Sequence, residues 1–387
     1  MAHQWRGVIR EYADRLPMLA GAPVVTLLEG GTPLIPAAYL SERVGAQVWL
    51  KFEGLNPTGS FKDRGMTTAI SVAAARGAKV VICASTGNTS ASAAAYATKA
   101  GMACAVLVPD GKIAMGKLSQ AIAHGATLLQ VAGNFDDCLT VARKLAEAYP
   151  VELVNSVNPA RIEGQKTAAF EIVDALGDAP DIHCLPVGNA GNITAYWQGY
   201  QEYAAGTPGA PGEAGTGGPA THLPRMWGFQ AAGAAPIVLG HPVDEPETIA
   251  TAIRIGNPVS VRKAIKVLAA FDGVVEEASE DELADASARA DRTGLYTCPH
   301  TGVALAALEK LVRRGVIRRN ERVVVISTAH GLKFSEFKTR YHEGTLPAVD
   351  PRRANPPLCV PAEYGAVRDA VLAAVSNRPP AGSNRGS

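Results

Sequence analysis

The sequence carries almost no surplus charge. Its 37 lysines and arginines stand against 36 aspartates and glutamates, a formal net charge of +1. That balance excludes the strongly basic surface that a nucleic-acid or anionic-membrane partner requires. No apolar run reaches the roughly 20 residues of a membrane span. The opening MAHQWRGVIREYADRLP is charged throughout and lacks the apolar core of a secretory signal. None of the six cysteines (Cys83, Cys104, Cys138, Cys184, Cys298, Cys359) forms a CxxC pair. In a chain of 387 residues this spacing reads as free thiols in a reducing cytoplasm, with no disulfide frame and no metal site. A GxGxxG dinucleotide fingerprint and internal repeats are also absent.

What is present is an ordinary globular composition, 47% apolar and 19% charged, in a chain long enough for two domains. Strand signals at 48–54, 80–85, 103–109, 126–132, 151–156, 183–188, 226–231 and 323–328 alternate with helical spacing at 62–76, 88–100 and 115–124. Such alternation predicts an α/β protein with parallel sheets and helices on both faces. Residues 204–221, rich in Gly, Pro and Ala, read as a surface loop, and the tail from about residue 377 as disordered.

Four strand ends run into short polar turns. In NPTGSFKDRG (56–65), Lys62 opens a helix, where the dipole and desolvation together lower an amine pKa and make it nucleophilic. STGNTSAS (85–92) sets hydroxyls and an amide at a helix start, either as an anion receptor or as simple N-capping. PVGNAGN (186–192) has glycines that let backbone amides approach a phosphate, although Gly-Asn turns are common in any role. STAHGLKF (327–334) places the Thr328 hydroxyl at a strand end, where most threonines are structural. Together the four supply every contact that pyridoxal 5′-phosphate needs.

At these residues the sequence resembles threonine synthase, a pyridoxal-phosphate enzyme of fold type II, the group that includes tryptophan synthase β. The matching blocks are KFEGLNPTGSFKDRGM, STGNTSAS, NSVNPARIEGQKTAA, PVGNAGNITA, CPHTGVALAAL and VVVISTAHGLKF, spread over roughly 25–345. CPHTGVAL is most like the plant-type branch, whose long N-terminal extension the sequence does not carry. The resemblance implies two doubly wound α/β domains, a large one over 1–64 and 166–345 and a smaller inserted one over 65–165, followed by a partly disordered tail over 346–387. It implies Lys62 as the Schiff-base lysine and Asn88 as partner of the cofactor's phenolic oxygen. The turn Gly188, Asn189, Ala190, Gly191 and Asn192 would bind the cofactor phosphate, and Thr328 would face the pyridine nitrogen. Ser85, Thr86, Asn88 and Thr89 would receive the substrate carboxylate. Lys117, Asn155, Ser156 and Arg161 would hold the substrate phosphate. A cytoplasmic homodimer is implied by the same route.

The implied reaction converts O-phospho-L-homoserine and water to L-threonine and phosphate. A leaving phosphate of charge about −2 needs cationic partners. Arg161 offers a bidentate fork and Lys117 a point charge, although sequence physics alone reads Arg161 as a surface residue at a helix start. His300 and His330 are expected as hydrogen-bonding wall residues, with a proton relay as the alternative. The nearest rival activity is a threonine or serine dehydratase of the same fold, which needs no receptor for a substrate phosphate. A non-catalytic cofactor-binding homologue is a further rival, and the presence of Lys62 and Asn88 speaks against it.

Overall fold

The computed structural model describes residues 3–111, 118–156, 158–205, 218–270 and 272–376. Ten strands form two sheets. They are β1 (Leu34–Pro36), β2 (Gln47–Phe52), β3 (Val80–Ala84), β4 (Ala103–Pro109), β5 (Thr127–Val131), β6 (Val151–Leu153), β7 (Ile182–Pro186), β8 (Arg225–Ala231), β9 (Val274–Ala278) and β10 (Arg322–Ser327). The larger sheet has the order β1-β2-β10-β7-β8-β9 and the smaller β5-β4-β3-β6. Every pairing is parallel except that of β1 with β2.

The expected α/β class with parallel sheets is therefore what the chain adopts. The central strand β10 explains its own position. Val323 and Val325 pack with Ile182, Cys184 and Trp227 on one face, while Val324 and Ile326 join Leu185 and Met226 on the other. A strand buried on both faces reads as a continuous apolar run, which is how RVVVIS reads. Each such side chain adds about 1.5–3 kcal/mol of burial.

Two strands escaped the sequence reading. β1 is three residues long and ends in a proline, at the sheet edge where a missing N–H costs nothing. β9 (VVEEA) carries two glutamates that mask its apolar signal. Two boundaries are corrected. The 151–156 strand stops at Leu153, and the loop expected from 204 begins later, because Ala204 is the fully buried end of the helix Gly191–Ala205. Residues 206–217 and 377–387 lie outside the described residues, as does most of the first half of the helix expected over 115–124, of which Ser119–Ala123 is seen. The tail contains a helix, Tyr364–Ser376.

Two helices that cross at glycines position the site. Lys62–Ala75 lies against Pro159–Leu176 so closely that a Cβ on Gly164 would sit 1.9 Å from the Arg64 carbonyl oxygen. One on Gly65 would sit 2.7 Å from that of Arg161. Pro159–Leu176 starts where its sequence predicts a start: Asn158 Oδ1 accepts from the Ala160 N–H at 3.0 Å, and Pro159 takes the first position.

Candidate active site

The carboxyl ends of β3, β7 and β10 open onto one cleft of about 780 Å3, and all four polar turns contribute residues to its wall. Such a site, outside the carboxyl ends of parallel strands, is where α/β proteins bind ligands.

Lys62 is the first residue of its helix. Its loop is pinned to the end of β10: the Phe61 N–H donates to the Thr328 carbonyl at 3.0 Å and the His330 N–H to that of Gly59 at 2.9 Å. Burial, with Arg161 adding repulsion, pushes the Lys62 amine down to about 7. The following two residues are locked. Asp63 accepts from Thr58 Oγ1 and Ser92 Oγ, both at 2.6 Å, and burial pushes its carboxyl up to about 6. Arg64 grips Glu53 and Glu171, each at 2.6 Å, and Lys51 completes the buried cluster with Glu171. Four charges that cancel in pairs hold the start of the Lys62–Ala75 helix to the end of β2; removing one partner from such a cluster costs about 3–5 kcal/mol.

In the 85–92 turn the helix N-cap is Gly87, and no side chain caps it. The hydroxyls there are therefore not consumed as caps in the way the sequence left open. Ser85, Thr86, Asn88 and Thr89 all line the cleft.

At 188–192 all five residues line the cleft. Ala190 is left-handed at φ 62°, and Gly191 starts a helix. Gly188 has no room for a side chain, since a Cβ would lie 3.1 Å from Ile253 Cα. Asn189 Oδ1 accepts from the Val259 N–H at 3.4 Å. The Asn192 Nδ2 amide is buried without a partner among the described residues.

Arg161 overturns its reading as a surface residue. It is 1% exposed, donates through Nη1 to the Val154 carbonyl at 3.3 Å, and has no partner for Nε or Nη2 among the described residues. Burial pushes even this guanidinium down, to about 10, so it stays cationic at neutral pH. Asn155 lines the cleft and also ties two strands together. Its Oδ1 accepts from the Ala84 N–H at 2.9 Å and its Nδ2 donates to the Ala84 carbonyl at 2.8 Å, which ties the end of β6 to the end of β3. Ser156 lines the cleft, and Lys117 lies outside the described residues. His300 lines the cleft and its Nε2 accepts from the Ala252 N–H, whereas His330 is not among the lining residues and its Nδ1 accepts from the Leu332 N–H.

The sequence reading missed several contributors, among them Gly133, Asn134, Phe135, Asp136 and Gln165. Lys333 lines the cleft, bonded to the Thr58 carbonyl at 2.8 Å and to Gln120, and burial pushes its amine down to about 8. It stands within the STAHGLKF block but behind more conspicuous neighbours. The 242–259 segment supplies another part of the wall, including Arg254 and Asn257, with no turn signature to announce it.

The pyridoxal-phosphate dependent enzyme family matches residues 25–329. Threonine synthase of Mycobacterium leprae is 56% identical over 354 residues, covering 90% of this chain and 94% of that protein. The chain belongs to the threonine synthase family of pyridoxal-phosphate-dependent enzymes. A second family member, threonine synthase of Halalkalibacterium halodurans, is 50% identical over 85% of this chain and 90% of its own length. Among solved structures, threonine deaminase isoform 2 from Solanum lycopersicum superposes with a TM-score of 0.67 at 21% identity, over 87% of this chain and 90% of that one. That likeness shows the fold. The cofactor suits the residues present: a glycine turn lining the cleft, with Asn192 Nδ2 buried and without a partner among the described residues, fits a phosphate, and a desolvated Lys62 fits an aldehyde.

Proposed function

We propose that this threonine synthase family enzyme converts O-phospho-L-homoserine and water to L-threonine and phosphate with the residues assembled in this cleft. One observation carries the reading. Two separate sets of buried donors lack partners among the described residues: Asn192 Nδ2 at the glycine turn that lines the cleft, and Nε and Nη2 of Arg161, whose charge acts on Lys62. A cofactor phosphate satisfies the first set. A second anion is needed for the other, and a phosphorylated substrate brings one.

When bound, pyridoxal 5′-phosphate supplies an electron sink for charge developing next to the substrate amine. Gly188, Asn189, Ala190, Gly191 and Asn192 hold its phosphate, Asn88 its phenolic oxygen, Thr328 its pyridine nitrogen, and Lys62 its aldehyde carbon. The Lys62 amine, whose depressed value of about 7 leaves a large share unprotonated at neutral pH, takes and returns protons at Cα and Cβ of the substrate. Ser85, Thr86 and Thr89 orient the substrate carboxylate. Arg161 and Ser156, with Lys117, bind the phosphate and stabilise it as it leaves. Asn155 contributes by fixing the strand ends, and Lys333 adds a cation to the same wall.

The test is phosphate release from O-phospho-L-homoserine with L-threonine as co-product. Rapid formation of 2-oxobutyrate from L-threonine, without turnover of phosphohomoserine, would favour the dehydratase reading.

We further infer that 65–165 forms a smaller domain closing on the remainder around substrate. The strands of the small sheet all lie within that span, and each sheet brings turns to the cleft. Crystals with and without a substrate analogue that superpose without interdomain rotation would rule closure out. A homodimer and a cytoplasmic location follow from the family resemblance. Six unpaired thiols support a reducing compartment, and no helix among the described residues is long and apolar enough to cross a membrane. Light scattering checks the dimer.

A further inference from the structure

The Thr328 hydroxyl ends a buried hydrogen-bond chain that the proposed chemistry does not otherwise use. The chain begins on another part of the cleft wall, in the turn Thr251–Ile253, where the Ala252 N–H donates to His300 Nε2 at 3.0 Å. A ring nitrogen that accepts carries no proton, so the His300 proton resides on Nδ1. Nδ1 lies 3.3 Å from Cys298 Sγ and donates to it. The sulfur in turn lies 3.7 Å from Thr328 Oγ1 and 3.2 Å from Thr301 Oγ1, and Thr301 Oγ1 is 3.1 Å from Ser327 Oγ. Cys298, His300, Thr301 and Ser327 are at most 1% exposed, so no bulk water supplies an alternative partner.

The direction of this chain sets the direction of its last member. Nδ1–H takes one sulfur lone pair, and of the two directions open to the Thr301 contact, the one in which Thr301 donates to the sulfur sends the thiol hydrogen to Thr328 Oγ1. The Thr328 hydrogen is then left for the cleft. Burial opposes a thiolate at Cys298, whereas a positive charge on His300 would draw the thiol down to about 6. A ring that accepts from Ala252 at Nε2 bears no such charge, and Lys338, another cation that senses the sulfur, is paired with Asp291. The sulfur accordingly keeps its proton.

We propose that the Ala252–His300–Cys298 chain orients the Thr328 hydroxyl as a hydrogen-bond donor toward the cofactor's pyridine nitrogen, which makes Cys298 and His300 positioning residues that hold the ring unprotonated. The inference rests on the reading that Thr328 faces that nitrogen. A donor at this point disfavours a ring proton, and an acceptor would invite one.

Two measurements test it. In protein labelled with 15N-histidine, with His300→Gln for assignment, the His300 signals are expected to show Nδ1 protonated and Nε2 bare at neutral pH. A protonated Nε2 overturns the chain at its source, whatever the cofactor does. In the holoenzyme, the visible absorption band of the bound cofactor is expected to move in Cys298→Ala and to stay in place in Cys298→Ser, which keeps a donor. In a Thr328→Ala background, Cys298→Ala is expected to move it no further. A shift of equal size in that background, or none in Cys298→Ala while Thr328→Ala shifts the band, overturns the proposal. An unmoved band in Thr328→Ala overturns the placement of Thr328 and the proposal with it, independently of which substrate is turned over. Activity of Cys298→Ala should fall about tenfold in kcat with KM unchanged, the size of one misdirected hydrogen bond.

Discussion

The turn at 188–192, which lines the cleft, and the buried Arg161, whose charge acts on Lys62, offer donors made of different material. The first is backbone. Its amides neither titrate nor change rotamer, and a left-handed Ala190 with Ile253 packed over Gly188 holds them in place. The second is a single long side chain, buried with one carbonyl contact and two donor atoms unmet. A backbone nest suits a guest that stays, as the cofactor does on the proposed reading. An unpaired buried guanidinium is costly until an anion arrives, which suits a guest that comes and goes. Lys62 shares that cost, since Arg161 helps to depress its amine.

The largest expected effect falls on the group at the centre of this comparison. Lys62→Ala should lower phosphate release by about 10³-fold or more, the scale of losing both a covalent tether and a general base. After borohydride reduction the wild type should carry the cofactor mass on the peptide containing residue 62, and the variant should not. Arg161→Met separates the two pockets. It should reduce kcat/KM for O-phospho-L-homoserine about 100-fold, as expected for losing charge-assisted hydrogen bonds, while leaving cofactor retention intact. Its melting temperature without ligand should hold or rise, because an unpaired buried charge is removed; a large fall would mark Arg161 as structural instead. Gly188→Ala is the converse, forcing a methyl against Ile253 and Ile255 at 3.1–3.2 Å. Cofactor retention on dialysis should weaken about tenfold, with substrate KM in the saturated enzyme little changed.

The smallest effect is a pH dependence of the cofactor-free protein. Lys62 is lowered from 10.5 to about 7 on folding, so between those values the unfolded chain binds more protons than the folded one. This group therefore makes the folded state more stable as pH rises through that window. The stability advantage of Lys62→Met over wild type, from urea midpoints, should be largest near the lower value and shrink toward the upper. A constant gap would mean that the amine is solvated and unshifted.

Much of this was legible in the chain because the signals are local. RVVVIS announces a strand buried on both faces, Asn158-Pro159 a helix start, and Gly-Asn-Ala-Gly-Asn a turn of exposed amides, since each depends on residues within a few positions of one another. The receptor-or-cap ambiguity at 85–92 was open because a cap is decided by one dihedral, and Gly87 occupies that place. That Asn155 also bonds to Ala84 was not legible, because the two lie 71 residues apart.

By itself the sequence determined the alternation of most strands with helices, the four turns and the amine at a helix start, because backbone propensity and turn chemistry act over short stretches. Only the tertiary structure decided that Arg161 is buried and unpaired, that Lys333 reaches the cleft, and that Ala252, His300, Cys298 and Thr328 form one chain. Burial and hydrogen-bond direction depend on which distant segments pack together, and in this protein two helices crossing at Gly65 and Gly164 make much of that choice.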